Sequence, residues 1–241
     1  MLPLAILYED DHLIAVDKPS GELSVPGRTQ PLSTFSRVKD YFSDAREIHR
    51  LDMGTSGVIL FAKNKICQAY IQRQFERRST QKIYYALCGN APNHRSGVVE
   101  LPLICDWPNR PRQMVAFSQG KSATTYYELS DASREISKTP QNLQISIPSA
   151  QTVSCARLYP STGRSHQLRV HLAAIGHPIL GDELYAPPIW ERASSRLLLH
   201  AAKLTVEHPV TQKDLEVTAP CPFGHLLHAD LHDSAGTISS T

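Results

Sequence analysis

The stretch His49–Ala62, HRLDMGTSGVILFA, is a polar, glycine-containing loop that runs straight into an apolar segment, Val58–Ala62. An apolar run of that length after turn residues predicts a buried strand, and the loop before it presents charged groups at the strand's entrance. Immediately downstream, Lys65–Arg78 has helical spacing, with Ile66, Ala69, Tyr70 and Phe75 expected on one side and Arg73 and Arg77, four apart, sharing another. Strand, helix and loop are thus interleaved within thirty-odd residues, and the same alternation continues in both directions.

Upstream, Leu4–Tyr8 and Leu13–Val16 predict two strands around the turn Glu9-Asp10-Asp11. Lys18-Pro19-Ser20-Gly21 forces a loop, and Ser33 is placed to cap a short helix ending near Phe42. Downstream, Ile83–Cys88, Thr124–Leu129, Leu143–Ile147, Val153–Tyr159, Leu197–Val206 and Leu215–Thr218 predict strands. Asp131–Gln141 predicts an exposed loop, and Asp106–Arg112 a rigid, basic, aromatic one. A helix is expected to open at Thr162-Gly163-Arg164, because Leu168, Leu172 and Ile175 recur at one face; Gly176 and Pro178 close it. Many strands with few, interspersed helices give an α+β fold: a mainly antiparallel mixed sheet flanked by helices and loops, in two lobes around a central cleft. One catalytic domain over residues 1–221 is expected, with a mobile tail over 222–241.

The chain has 241 residues, 41% hydrophobic and 20% charged, which excludes wholesale disorder. No apolar run approaches the roughly 20 residues of a membrane span, and the N-terminus lacks the basic start of a signal peptide. Five scattered cysteines without a CxxC predict free thiols and a cytoplasmic protein. The net charge is only +2, but its distribution is uneven. Residues 1–22 and 207–241 each carry five acids and one base, leaving 23 bases against 13 acids between them. A basic body with acidic ends suits a polyanionic partner.

Two clusters carry candidate chemistry. In His49-Arg50-Leu51-Asp52 a carboxylate lies among potential cations that favour its ionised form; the plain alternative is a surface ion pair or a turn-capping aspartate. Around Gly163–His171, residues Arg164, His166, Arg169 and His171 gather at a helix start, where an anion binds readily. Arg164 is equally suited to hold a carboxylate such as Asp52. The spacings of His166, His171 and His177 do not match a helical zinc pair, so no metal is expected. No P-loop, GxGxxG or GxSxG occurs.

His49–Gly57, HRLDMGTSG, resembles the HRLDxxTSG signature of the RluA-type pseudouridine synthase family. Thr162–His171, TGRSHQLRVH, and Gly176–Asp182, GHPILGD, resemble two further blocks of that family, in order. Lys82-Ile83-Tyr84 matches its KxY strand and Lys18–Gly21 its KPxG loop, so the likeness spans nearly the whole chain. Leu101–Gln113 and Leu23–Arg28 resemble the branch that modifies both a 23S rRNA hairpin and a tRNA anticodon loop. The resemblance implies an isomerase that turns uridine in RNA into pseudouridine without a cofactor. It implies Asp52 as the essential carboxylate, Arg164 as its partner and Tyr84 stacked on the flipped uracil. RNA contacts would come from His49, Arg50, Lys65, Arg73, Arg77, Arg78, Trp107, Arg110, Arg112, His166 and Arg169, with Arg50 filling the gap left by the flipped base. A monomer with RNA as its partner is expected. The alternative is a non-catalytic RNA-binding protein on the same scaffold.

Overall fold

The computed structural model describes residues 3–136, 143–149 and 151–226. The chain opens with β1 (Ile6–Glu9), β2 (Leu13–Lys18), α1 (Thr34–Tyr41), β3 (Arg46–Glu47), β4 (Ser56–Ala62), α2 (Lys65–Arg77) and β5 (Gln81–Gly89). It continues with β6 (Ser96–Glu100), β7 (Leu103–Cys105), β8 (Gln113–Val115), β9 (Thr124–Asp131), β10 (Val153–Pro160), α3 (Gln167–Ala174), α4 (Pro188–Glu191), β11 (Leu199–Glu207) and β12 (Asp214–Thr218). Ten strands form one sheet in the order β1-β2-β4-β11-β5-β10-β9-β6, with β12 beside β11 and β3 beside β4; β7 and β8 form a separate hairpin. Every pairing is antiparallel except β4 with β11. This is the expected α+β architecture.

Alternation along the strands decides what each face buries. In β2 and β4, Leu13, Ala15, Val58 and Leu60 face α2, whose buried Cys67 and Ile71 meet them. Ile14, Val16, Ile59 and Phe61 face the other way, where Val38 of α1 covers them. In β5 and β10, Leu87, Val153 and Cys155 pack against Trp190 and Phe223, while Ala86, Cys88, Ala156 and Leu158 pack under α3 through Leu168 and Leu172. Tyr84 contacts both the α1-side and the α3-side clusters. The two lobes are therefore α1 and α3 resting on one face of a continuous sheet, with Tyr84 at the seam.

Local sequence explains most boundaries. Ser33 caps α1 in a reciprocal box with Ser36, and Asn64 caps α2 by accepting from the Cys67 amide. Gly57 has φ 109°, and a Cβ there would lie 2.2 Å from the Ala201 carbonyl oxygen. Glycine is thus required where the Asp52 loop enters β4 against β11.

Four expectations are corrected. On α2 the fully buried positions are Cys67 and Ile71, with the expected Tyr70 and Phe75 half-buried on the same core, while the expected Ile66 is 83% exposed. Leu143–Ile147 is not a strand; Ile145 and Ile147 pack on the core, but among the described residues no strand pairs with the segment. Helix α3 starts at Gln167, since His166 takes a left-handed φ of 53° that a helix cannot contain. Residues 222–226 are no tail: Phe223 and Leu226 are fully buried. The rest of the expected tail, 227–241, and most of the polar stretch after Ile136 lie outside the described residues.

Candidate active site

The Asp52 loop is fixed through its backbone. Ser24 Oγ donates to the Leu51 carbonyl at 2.7 Å and accepts from the Leu51 amide at 2.9 Å. On the far side, the Gly21 amide donates to the Met53 carbonyl at 2.8 Å, and Ser20 Oγ donates to the Gly54 carbonyl at 2.7 Å. Lys18 is fully buried, and its Nζ donates to the carbonyls of Pro19, Glu22 and Met53 at 2.8, 2.6 and 3.0 Å. The Lys-Pro-Ser-Gly loop thus grips the residues either side of Asp52 and leaves its carboxylate free to face the cleft. Burial lowers the Lys18 ammonium to about 8, against the raising charges of Glu22 and Asp52.

Below the loop, Ser56 Oγ accepts from Arg196 Nη2 at 2.7 Å and shares a hydrogen bond with His200 Nδ1 at 2.9 Å. Burial holds His200 down to about 4, so the ring is neutral and this polar floor carries one cation, Arg196.

The cationic partner of Asp52 is Arg169, not Arg164. Arg169 Nη1 lies 3.7 Å from Asp52 Oδ2. Its Nε and Nη2 form a two-pronged pair with Asp182 at 2.8 and 2.6 Å, and its guanidinium stands 5.1 Å from the Tyr185 ring centre. Burial opposes the Arg169 charge, but Asp182 and then Asp52 outweigh it and raise its pKa. Arg164 instead turns away, with Nε donating to the Ser122 carbonyl at 3.1 Å. The late start of α3 causes the exchange: Gln167 Oε1 accepts from the Arg164 amide, so Arg164 stays in the loop and Arg169 takes the buried side of the first turn.

Tyr84 lies on the cleft face of β5, and burial, then the charge of Asp52, push its phenol well above the usual tyrosine range. Two cavities flank Asp52. One, of about 550 Å³, is lined by Tyr84, Lys82, Arg50, Thr162, Arg164 and Leu199. The other, of about 980 Å³, is lined by Lys18, Met53, Pro111, Arg196 and Leu184; Asp52, His166 and Arg169 border both.

The remaining expected contacts divide. Arg50 is exposed beside Asp52. The Trp107 loop leans over the site: Arg112 sits 5.5 Å from the Tyr185 ring, and the Gln113 amide donates to Tyr185 Oη at 2.7 Å. Trp107 is 64% exposed with Arg110 stacked on it at 4.6 Å. His166 Nδ1 shares a 2.7 Å hydrogen bond with Tyr185 Oη. His49 points inward, accepting from the Leu60 amide at 3.0 Å and stacking on Phe75 at 4.9 Å. Burial lowers its pKa to about 3, so the ring is neutral, with Nε2 held by the backbone where the residue borders the cavity of about 550 Å³. Arg73 and Arg77 open onto a separate cavity of about 410 Å³ with Glu207 and Asp214, because α2 packs on the sheet face away from Tyr84. Lys65 is exposed at the start of that helix, and Arg78 caps its end near Lys82. His171 bonds to Thr125 Oγ1 and the Leu101 carbonyl, both at 3.0 Å, and among the described residues no metal-binding cluster forms.

Sequence reasoning missed Asp182 and Tyr185 as supports of Arg169, and Lys18 as the anchor of the loop. The signal for Asp182 was present in Gly176–Asp182, quoted there only as a block of the family resemblance.

The RNA pseudouridylate synthase family model matches residues 12–174. The chain belongs to the RNA pseudouridylate synthase family. It is 46% identical over 223 residues to "Dual-specificity RNA pseudouridine synthase RluA" of Pasteurella multocida (strain Pm70), covering 91% of this chain and 94% of that one. The protein of that name from Escherichia coli (strain K12) is 45% identical over 222 residues, with 91% and 94% covered. The solved structure of Human RNA Pseudouridylate Synthase Domain Containing 1 superposes with TM-score 0.73 at 28% identity, covering 94% of this chain and 89% of that one. As an RNA pseudouridine synthase the chain is an isomerase that converts uridine in RNA to pseudouridine. Among the described residues no helix is long and apolar enough to cross a membrane.

Proposed function

We propose that this pseudouridine synthase acts on two RNA contexts, a 23S rRNA hairpin and a tRNA anticodon loop, with Asp52 as its essential carboxylate. The dual-specificity names of the relatives support two RNA specificities, and the likeness of Leu101–Gln113 and Leu23–Arg28 suggests which two. The carrying observation for Asp52 is its placement: a carboxylate held by its backbone, 3.7 Å from a buried arginine, at the junction of two cavities. Asp182 is committed to Arg169, whereas Asp52 meets the same guanidinium at 3.7 Å and borders both cavities.

In the reaction the C1′–N1 bond breaks and its electron pair leaves with the base. Asp52 either bonds to C1′, in a bond that breaks as C5 takes its place, or takes the proton from C2′ and returns it there as C5 bonds to C1′; the base turns between the two events. The proton lost from C5 is balanced by one gained at N1, so nothing is consumed. Arg169 orients the Asp52 carboxylate, and Tyr84 stacks on the extruded ring. Burial keeps the Tyr84 phenol protonated, which favours stacking and hydrogen-bond donation over proton removal as its resting role. Arg50 fills the vacated base stack, while Arg110, Arg112 and Trp107 hold the RNA at the rim. The substrate class and the five free thiols favour a cytoplasmic, single catalytic domain.

Carbodiimide mapping of pseudouridine in total RNA, with and without the protein, tests this reading. The expected outcome is signal at one rRNA and one tRNA position, absent with Asp52→Asn. Signal that persists with Asp52→Asn overturns the role of Asp52.

A further inference from the structure

Four buried or half-buried cations in this half of the molecule are fully committed. Lys18 has three carbonyls, Arg169 a two-pronged carboxylate, Arg37 pairs with Glu22 and Lys63 with Glu9. Lys82 differs. Its ammonium makes one long hydrogen bond, 3.4 Å to the Thr162 carbonyl, and no ion pair with a described residue. It nevertheless sits mostly out of solvent in the cavity of about 550 Å³. A cation so placed is incompletely solvated, and an incoming anion would complete it.

Lys82 and Tyr84 are two apart on β5 and project from the same face. The charge of Asp52 acts on Tyr84, whereas the charged group felt by Lys82 is Arg78 of the α2 cap. Asp52, Tyr84 and Lys82 line the same cavity, and Lys82 lies one strand step from Tyr84 on the side of the α2 cap. A uracil whose ribose meets Asp52 and whose ring lies on Tyr84 would direct its far edge toward Lys82.

We propose that Lys82 is a catalytic residue: its ammonium stabilises the negative charge of the departing uracil. When the C1′–N1 bond breaks, the electron pair spreads over N1, O2 and O4. It returns when C5 bonds to C1′. The charge exists only between those two events, so a cation aimed at it accelerates bond cleavage without tightening substrate binding. Burial lowers the Lys82 ammonium to about 8, which still leaves it mainly protonated at neutral pH. The inference rests on Asp52 marking the uridine site.

The test uses the whole protein with a synthetic stem-loop carrying the mapped uridine, and the same stem-loop with 5-fluorouridine there, whose base is a more acidic leaving group; conversion is read on both as loss of the N1-linked nucleoside, because fluorine at C5 blocks the final proton loss. Lys82→Met should slow single-turnover conversion at saturating RNA by about 10²–10³-fold and leave Kd within about threefold. Lys82→Arg should restore about tenfold or more, and 5-fluorouridine should shrink the Lys82→Met defect by a similar factor. Lys82→Gln, read the same way, serves if Lys82→Met does not fold. A weaker Kd with an unchanged rate would make Lys82 a phosphate ligand and overturn the proposal. An equal defect on both substrates would show that the side chain acts by shape, and would also overturn it. Activity surviving in Asp52→Asn would instead defeat the underlying site assignment.

Discussion

Arg169 and Asp182, thirteen residues apart, are joined by two parallel hydrogen bonds, and the third nitrogen of the same guanidinium faces Asp52. Asp182 is 1% exposed, so its charge is spent on holding this arginine. Asp182→Asn should weaken the grip and misplace Arg169 by a fraction of an ångström to an ångström. A loss of about 10–100-fold in kcat with little change in KM is expected. Steady-state kinetics on a stem-loop substrate check it; a rise in KM alone would show that Asp182 serves binding instead. Leaving Arg169 without its buried partner should also cost about 3–5 kcal/mol of stability.

Lys18→Met removes the donor from three carbonyls at once. An unsatisfied buried acceptor costs roughly 1–3 kcal/mol, softened where water reaches it. The melting temperature should fall by about 5 °C or more. Activity should fall further than stability explains, because the freed Met53 carbonyl adjoins Asp52. Calorimetry paired with assays well below the melting point would reveal a variant that is as active as the parent, the result that counts against this anchor.

Ser56→Ala leaves one Arg196 nitrogen and His200 Nδ1 without their shared oxygen. The expected destabilisation is about 1–3 kcal/mol, read from urea midpoints. A neutral result would show that water replaces the hydroxyl in the cavity floor.

Acid should destabilise the protein before its carboxylates titrate. Burial lowers His49 to about 3 and His200 to about 4, both from an ordinary 6.5. Between those values the unfolded chain binds protons that the folded chain refuses. The stabilisation is present above about 6.5 and is lost as pH falls toward 4. Urea midpoints taken between about pH 7.5 and 5 should decline, and the slope should be shallower in His200→Asn. A flat profile would mean both rings protonate in place.

The strands around the cleft were readable because their apolar alternation is strong, as in Leu13–Val16 and Val58–Ala62. Helix α2 was placed within a residue at either end, yet its buried side was misjudged in part: Ile66 is more apolar than Cys67, but Cys67 faces the sheet. The family resemblance named Asp52 and Tyr84, and the structure brings the two to one cavity. The exchange of Arg164 for Arg169 was not legible. It depends on a left-handed His166 and on Gln167 folding back onto the loop, and neither leaves a trace in periodicity. Lys82 was quoted only as part of a motif, since a missing counter-ion cannot be seen in one dimension.

The ladder of β11 with β5 continues on both sides of Tyr84, shifting register once beside it between Ala201 and Lys203, and it is flanked by β4 on one side and β10 on the other. A jaw built on such a backplate has no hinge at its centre. Bending the two halves together would shear the hydrogen-bond rows that carry Tyr84 itself. Adaptation on binding therefore falls to the hairpin of β7 and β8 and to the nucleic acid. An RNA that cannot distort to reach Asp52 would be refused even if every base in it were correct, so the stiffness of the sheet acts as a filter on the flexibility of the substrate.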